Sequence, residues 1–141
     1  MDARINLITL GVGDLSRSLA FYRDGLGWSA QVMDDIAVFP LNGIVLALYP
    51  RDKLAEDATV PAEGSGFAGI TLAHIVRTES EVDTLLSRAE VLGGKIVKPA
   101  RKVFWGGYSG YFADPDGHLW EIAFNPIWGL DEAGNVILPG A

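Results

Sequence analysis

The chain contains no cysteine among its 141 residues, and its apolar runs are short. The lack of cysteine excludes a disulfide framework, a thiolate metal site and a cysteine nucleophile, and is typical of a reducing compartment. An apolar run such as residues 44–49 is far below the roughly 18 residues that cross a bilayer. The first residues also lack the basic start of a signal peptide. We therefore expect a soluble, cytoplasmic protein without a membrane partner.

Basic residues are also scarce, since 11 Lys and Arg stand against 18 Asp and Glu, for a formal net charge of −7. Nucleic-acid backbones are bound by clustered Lys and Arg, so this balance argues against nucleic acid as a partner. Hydrophobic residues make up 49% of the chain, which is enough for one domain of this length to build its own core. We expect the partners to be small or neutral molecules.

The order of predicted elements occurs twice along the chain. In the first half, an apolar strand is followed by Asp14 at a helix N-cap position, an amphipathic helix, and a hairpin that turns at Asn42-Gly43. In the second half, Thr78 and Glu81 predict a capping box, and residues 114–117 predict a tight turn between two strands. This repeat predicts an α+β fold made of two βαβββ modules.

The predicted boundaries divide one domain into four segments. They are a first module at residues 4–50, a linker at 51–66, a second module at 67–126 and a C-terminal tail at 127–141. The linker is rich in charge, alanine, proline and glycine, and it is too short for a further large element. The strands predicted for the second module cover residues 67–75, 95–98, 105–113 and 119–124.

Several short motifs carry a resemblance to one superfamily. They are Ile5-Asn6-Leu7-Ile8-Thr9-Leu10, the helix from Asp14-Leu15 through Phe21-Tyr22-Arg23-Asp24, Leu26-Gly27-Trp28, and the segment from Asp114 to Glu121. Over residues 4–126 the chain resembles the vicinal oxygen chelate superfamily, which groups glyoxalases, bleomycin-resistance proteins, extradiol dioxygenases and related epimerases. The resemblance implies paired βαβββ modules whose curved mixed sheets surround a cleft, commonly in a homodimer. Whether the modules pair within one chain or swap between two stays open.

The superfamily's metal chemistry takes one ligand from each of four strands. The resemblance maps these four positions onto Leu7, Ala47, Gly69 and Glu121. Internal repetition pairs the first of them with the third, and the second with the fourth. A divalent ion in a catalytic site needs three or more oxygen or nitrogen donors from the protein, and only Glu121 supplies one. We therefore expect no metal and no cofactor.

Glu121 is the one candidate catalytic residue in the sequence. It shares a strand face with Leu119 and Ala123, so it is a lone carboxylate among apolar side chains, suited to act as a base or a hydrogen-bond acceptor. His74 and His118 fall on the opposite strand face by alternation, and neither is expected to join it. The alternative is a salt-bridged remnant of an ancestral metal site.

Residues 104–112 combine five aromatic residues with four small ones. Aromatic rings supply flat apolar contact area, and glycines in a strand leave room for a ligand beside the sheet. A hairpin that pairs Ala113 with His118 puts the even-numbered residues of this segment on the Glu121 face. Tyr108 and Phe112 are therefore expected on that face. With Trp105 as further stacking area, the predicted ligand-binding residues are Trp105, Tyr108, Phe112 and Glu121. Ordinary sheet packing or a dimer interface is the alternative for this segment.

Three functions remain open from the sequence. The first is a metal-free protein, similar to the bleomycin-resistance members, that binds a small apolar or aromatic molecule in its cleft. The second is a lyase, isomerase or dioxygenase of the glyoxalase type that uses other metal ligands or Glu121 alone. The third is a regulatory or structural dimer without a ligand. The missing metal ligands favour the first.

Overall fold

A computed structural model describes residues 1, 3, 5–68 and 70–140 of the chain. The chain divides into two compact units, residues 1–68 and 69–141. Each unit contains one four-stranded mixed sheet with a helix between its first and second strands. The predicted α+β fold of two βαβββ modules is therefore confirmed.

The sheet of the first unit has the strand order β1-β4-β3-β2. Its elements are β1 (Leu7–Val12), α1 (Leu15–Leu19) with a π-helical continuation (Ala20–Gly25), β2 (Gln31–Met33), β3 (Ile36–Pro40), β4 (Val45–Pro50) and α2 (Arg51–Asp57). β1 and β4 are parallel, and the other neighbours are antiparallel. The predicted N-cap is confirmed, because the Asp14 side chain accepts a hydrogen bond from the Arg17 N–H at 3.1 Å. The predicted hairpin turn joins β3 to β4, with Gly43 at a φ of 71°.

The first helix differs from the single α-helix that the sequence predicts. It is α-helical for five residues and then π-helical, with the Leu26 N–H donating to the Phe21 carbonyl at 2.9 Å. Phe21 and Tyr22 are adjacent in sequence, and their side chains are 1% and 0% exposed. The wider π turn is consistent with the burial of two consecutive large side chains, which an α-helical face does not favour.

Helix α2 lies where the sequence predicts only a linker. Its seven residues are mostly good helix formers, and Asp52 in the first turn interacts favourably with the helix dipole. Ala55 anchors the helix, since it is 9% exposed. The charged composition that suggested a linker therefore belongs to the solvent side of a short helix.

The sheet of the second unit has the matching order β5-β8-β7-β6. Its elements are β5 (Leu72–Val76), α3 (Glu79–Val91), β6 (Lys95–Lys102), β7 (Tyr108–Ala113), β8 (Leu119–Phe124), β9 (Gly129–Leu130) and β10 (Val136–Ile137). β5 and β8 are parallel, whereas β6, β7 and β8 pair antiparallel. The capping box is confirmed, because Thr78 caps the Glu81 N–H and the Glu81 side chain accepts from the Thr78 N–H. Helix α3 buries Val82, Leu86 and Ala89.

Three strand predictions need correction in this unit. β5 begins at residue 72 rather than 67, β6 continues to 102 rather than ending at 98, and β7 begins at 108 rather than 105. The predicted tail contains the short antiparallel pair β9 and β10. Arg77 holds this pair by donating to the carbonyls of Leu130 at 3.2 Å and Asp131 at 2.5 Å. In the part of the chain that the structure describes, no helix is long and apolar enough to cross a membrane.

Candidate functional site

A cavity of about 620 Å³ opens on one face of the second sheet. Strands β6, β7 and β8 and the turn between β6 and β7 line it. The lining residues are Lys98, Arg101, Lys102, Val103, Phe104, Trp105, Ser109, Tyr111 and Glu121. The cavity therefore combines basic, aromatic, hydroxyl and carboxylate groups within one unit.

Strand register explains which side chains face this cavity. Glu121 on β8 lies opposite Tyr111 on β7, and Tyr111 lies opposite Lys98 on β6. Directly opposed residues point to the same face of a sheet. The three side chains therefore form one row across three strands. In the neighbouring row, Ser109 lies opposite Arg101.

Tyr111 occupies the centre of the first row. The Lys98 ammonium lies over its ring, 5.9 Å from the ring centroid, which is within the range of a cation–π interaction. Burial, followed by the nearby Glu121 carboxylate, raises the pKa of Tyr111. The hydroxyl is therefore a donor at neutral pH, on the strand between those that carry Lys98 and Glu121.

Lys102 directs its charge away from the cavity. It lies opposite Tyr108, and its ammonium is over the Tyr108 ring at 5.9 Å from the centroid and forms an ion pair with Glu79 of α3. Within the described ranges of the chain, Lys98 and Arg101 form no ion pair with a carboxylate. Two cations without a carboxylate partner therefore line a cavity that holds one carboxylate.

Trp105 belongs to a tight turn that precedes β7. The Val103 N–H donates to the Gly107 carbonyl and the Gly106 N–H donates to the Val103 carbonyl, each at 3.0 Å. A Cβ placed on Gly107 would lie 1.7 Å from Cζ3 of the Trp105 ring. The indole therefore packs directly on the backbone of Gly107. The space that this glycine leaves is filled by the chain's own tryptophan and not, as predicted, available to a ligand.

The β7–β8 hairpin pairs Ala113 with Leu119 rather than with His118. The Asp114 carboxylate accepts the N–H groups of Asp116 at 2.9 Å and His118 at 2.8 Å. The Asp114 N–H also donates to the His118 carbonyl at 2.8 Å. These bonds hold five residues in the connection and shift the pairing by one residue, which moves the even-numbered residues of β7 to the other face of the sheet.

The prediction that Tyr108 and Phe112 lie on the same sheet face as Glu121 is therefore wrong. Phe112 is 4% exposed and stacks on Trp120, with ring centroids 6.4 Å apart and planes at 5°. The Tyr108 hydroxyl donates to the Asp83 carboxylate of α3 at 2.7 Å. Both side chains pack on the helix side, whereas Trp105 and Glu121 of the same prediction line the cavity.

Sequence reasoning missed the basic side of the cavity and its two hydroxyls. Lys98, Arg101, Ser109 and Tyr111 all line it. A signal was present, because four of the chain's 11 basic residues fall within residues 95–102. The alternation of a regular strand did not indicate that two of them share the cavity face.

The four mapped metal positions do not supply a donor set. Leu7 and Ala47 carry hydrocarbon side chains, Gly69 lies outside the described residues, and Glu121 supplies one carboxylate. Within residues 5–68 and 70–140, no three His, Asp or Glu side chains cluster as a metal site requires. These residues do not fit the divalent ion that the superfamily's chemistry uses.

Sheet register moves the third mapped metal position by two residues, from Gly69 to Thr71. Thr9 and Ala73 are equivalent, because each lies opposite the mapped residue on the last strand of its module. The first strands of the two modules are thus offset by 64 residues. The sequence mapping, which pairs Leu7 with Gly69, assumed an offset of 62. The equivalent of Leu7 is then Thr71 rather than Gly69. A threonine hydroxyl is a weak ligand, so the donor set stays incomplete.

Comparisons with known proteins agree with this architecture. A family model described as Glyoxalase/Bleomycin resistance protein/Dioxygenase superfamily matches residues 4–122. Metallothiol transferase FosB of Staphylococcus saprophyticus is 30% identical over 123 residues, which are 86% of this chain and 77% of that protein. A glyoxalase-related enzyme from Fulvimarina pelagi has a TM-score of 0.88 at 42% identity, covering 96% of this chain and 98% of that one. Lactoylglutathione lyase from Agrobacterium tumefaciens has a TM-score of 0.68 at 25% identity, covering 93% and 100%.

Proposed function

Because the chain belongs to the glyoxalase/bleomycin resistance protein/dioxygenase superfamily, we propose that it binds a small ring-containing molecule in the cavity of its second sheet, without a metal at the superfamily's position. The observation that carries this proposal is the convergence of Trp105, Tyr111 and Glu121 on one cavity. Small-molecule sites commonly combine apolar contact area with a few placed polar groups.

The three residues have distinct roles in this proposal. Trp105 supplies a flat apolar surface, Tyr111 donates a hydrogen bond and Glu121 accepts one. Burying a ring on such a surface contributes about 25 cal/mol per Å² of apolar area, and a hydrogen bond to a charged group contributes roughly 1.5 to 3 kcal/mol. Together these terms are consistent with affinities in the micromolar range.

Matched variants of two tyrosines on β7 test the site. Tyr111→Phe removes a hydroxyl from the cavity face, and Tyr108→Phe removes one from the helix face. Ligands identified by thermal-shift screening of aromatic metabolites should bind Tyr111→Phe and Trp105→Ala more weakly than the parent, and Tyr108→Phe equally well. Equal binding by all three variants would place the ligand elsewhere and reject the proposal.

The metal-free part of the proposal follows from the donor set. A lone Glu121 completed by water binds divalent ions weakly and without selectivity. Protein purified without chelator should contain no stoichiometric zinc, nickel, iron or manganese by elemental analysis. Metal that resists dialysis and is lost in Glu121→Gln would reverse this conclusion.

Catalysis through Glu121 is the second candidate function. The position of this carboxylate beside Tyr111 favours it, because a carboxylate and a phenol in one row form an acceptor and a donor for proton transfer. Chemical conversion of a bound ligand, lost in Glu121→Gln while binding persists, would support a lyase or isomerase. An unchanged ligand after prolonged incubation would support binding alone.

We also propose that the chain forms a homodimer. Among the described residues, the outer strands of each four-stranded sheet pair with a strand on one side only, and edges of this kind are usually covered. Leu7 on the edge strand β1 is 51% exposed, and Val32 and Met33 on β2 are 46% and 57% exposed. Light scattering at micromolar concentration should give about twice the chain mass of 15.1 kDa, and a mass equal to one chain would contradict the proposal.

A further inference from the structure

The charge of the cavity is opposite in sign to that of the chain. The chain has a formal net charge of −7, yet Lys98 and Arg101 line the cavity against the single carboxylate of Glu121. Lys102 adds little to this balance, because its ammonium pairs with Glu79 on the helix side. The cavity is therefore a positive site on an acidic protein.

Two β-bulges in β6 bring these cations to one face. Ile96 and Arg101 are five residues apart, whereas their partners on β7 are three residues apart, and the register shifts fall on either side of Lys98. Each bulge adds one residue and reverses the alternation of the strand. Without the first bulge, Lys98 would share the helix face with Ile96. Pro99, which cannot donate to the sheet, lies in the second bulge.

The positive and negative sides of the cavity are separated by one strand. Lys98 and Arg101 lie on β6 and Glu121 lies on β8, with Tyr111 on β7 between them. Neighbouring strands are about 4.8 Å apart, so the backbones of the two sides are roughly 10 Å apart. Among the described residues Glu121 forms no ion pair with either cation, which leaves both available to a ligand.

We infer that the cavity selects planar aromatic anions, with the anionic group held by Lys98 and Arg101 and the ring placed against Trp105. The inference rests on the proposed function and specifies its ligand class. A guanidinium matches the geometry of a carboxylate by donating two parallel hydrogen bonds, and an ammonium adds a second charge-assisted bond. The more distant Glu121 would repel an anionic group placed beside it. This repulsion fixes the orientation of the bound ligand, with its anionic group toward Lys98 and Arg101.

A series of ligands with one ring system and three charges tests the inference. 2-Naphthoate, 2-naphthylmethanol and 2-naphthylmethylammonium carry charges of about −1, 0 and +1 at neutral pH. Isothermal titration should show the anion binding about tenfold more tightly than the alcohol, with the ammonium weakest. Only the binding of the anion should weaken strongly as salt is raised, because the cations are near the surface.

Charge variants separate selection of the anion from binding of the ring. Arg101→Gln and Lys98→Gln should each reduce the affinity for naphthoate severalfold and reduce the affinity for the alcohol much less. Lys95→Gln is the matched control, since it removes a cation from the same strand outside the cavity lining. Equal affinity for the anion and the alcohol, or preference for the ammonium, would overturn the inference while the proposed function stands. Failure of all three probes to bind would reject both.

Discussion

Substituting Gly107 by alanine should displace the Trp105 indole from the cavity wall. The added Cβ would lie 1.7 Å from Cζ3 and 2.1 Å from Cη2 of the ring, whereas non-bonded carbon atoms pack at about 3.5 to 4.0 Å. Movement of the backbone is opposed by the hydrogen bond between the Val103 N–H and the Gly107 carbonyl. The indole is the softer element, so we expect it to rotate away.

The substitution should affect ligand binding more than folding. Trp105 is only half-buried, so moving its ring should cost about 1 kcal/mol of folding stability or less. A bound ring that loses roughly 50 Å² of apolar contact would lose about 1.3 kcal/mol, which is close to a tenfold weaker affinity. Affinity should therefore fall by about a factor of ten while the melting temperature changes little.

Tryptophan fluorescence measures the displacement directly. Gly107→Ala should shift the emission and increase acrylamide quenching, and the same substitution in a Trp105→Phe background should change neither. Gly106→Ala is the contrasting control, because Gly106 has a φ of 89° and open space around its Cβ position. It should lower the melting temperature through backbone strain and leave the Trp105 emission in place. Parent-like emission and affinity in Gly107→Ala would refute the packing argument.

Three further predictions concern stability and titration in the second unit. Asp114→Ala removes the acceptor of two backbone N–H groups and should lower the free energy of unfolding in urea by about 2 kcal/mol, whereas Asp114→Asn should retain most of it. Burial, and after it the Glu121 carboxylate, raises the pKa of Tyr111. The unfolded chain therefore loses the Tyr111 proton at a lower pH than the folded chain does. Its contribution to stability is therefore present below the ordinary tyrosine pKa of 10.0 and is lost as the pH rises through the folded-state pKa, so Tyr111→Phe should flatten the alkaline limb of a stability profile. Arg77→Ala removes the bonds to the β9–β10 pair and should speed hydrogen exchange of that pair with little change in the melting temperature of the rest.

The parts of the fold that the sequence predicts correctly are set by local interactions. Asp14 and Thr78 act on N–H groups three residues away, and Asn42-Gly43 forms a turn within four residues. Such signals need no tertiary information. The repeat of the same signals in both halves then gives the module, because each occurrence supports the other.

The candidate site depends on register, which local signals do not determine. A five-residue connection held by Asp114 changes the β7–β8 pairing by one residue and moves Tyr108 and Phe112 to the helix side. The bulges around Lys98 similarly place its side chain on the same face as that of Arg101. In both cases the face of a side chain depends on how many residues the hairpin connection or the bulge contains. One residue more or fewer there reverses the face that simple strand alternation predicts.

The electrostatics of the cavity link the proposed ligand class to the incomplete set of metal donors. Lys98 and Arg101 line the same cavity as Glu121, so both cations would repel a divalent ion placed beside that carboxylate. An anion bound between the two cations carries the opposite sign and is stabilised by the same field. The first bulge, which turns Lys98 to the cavity face, would therefore disfavour a metal at Glu121 and favour the anionic ligand that we propose.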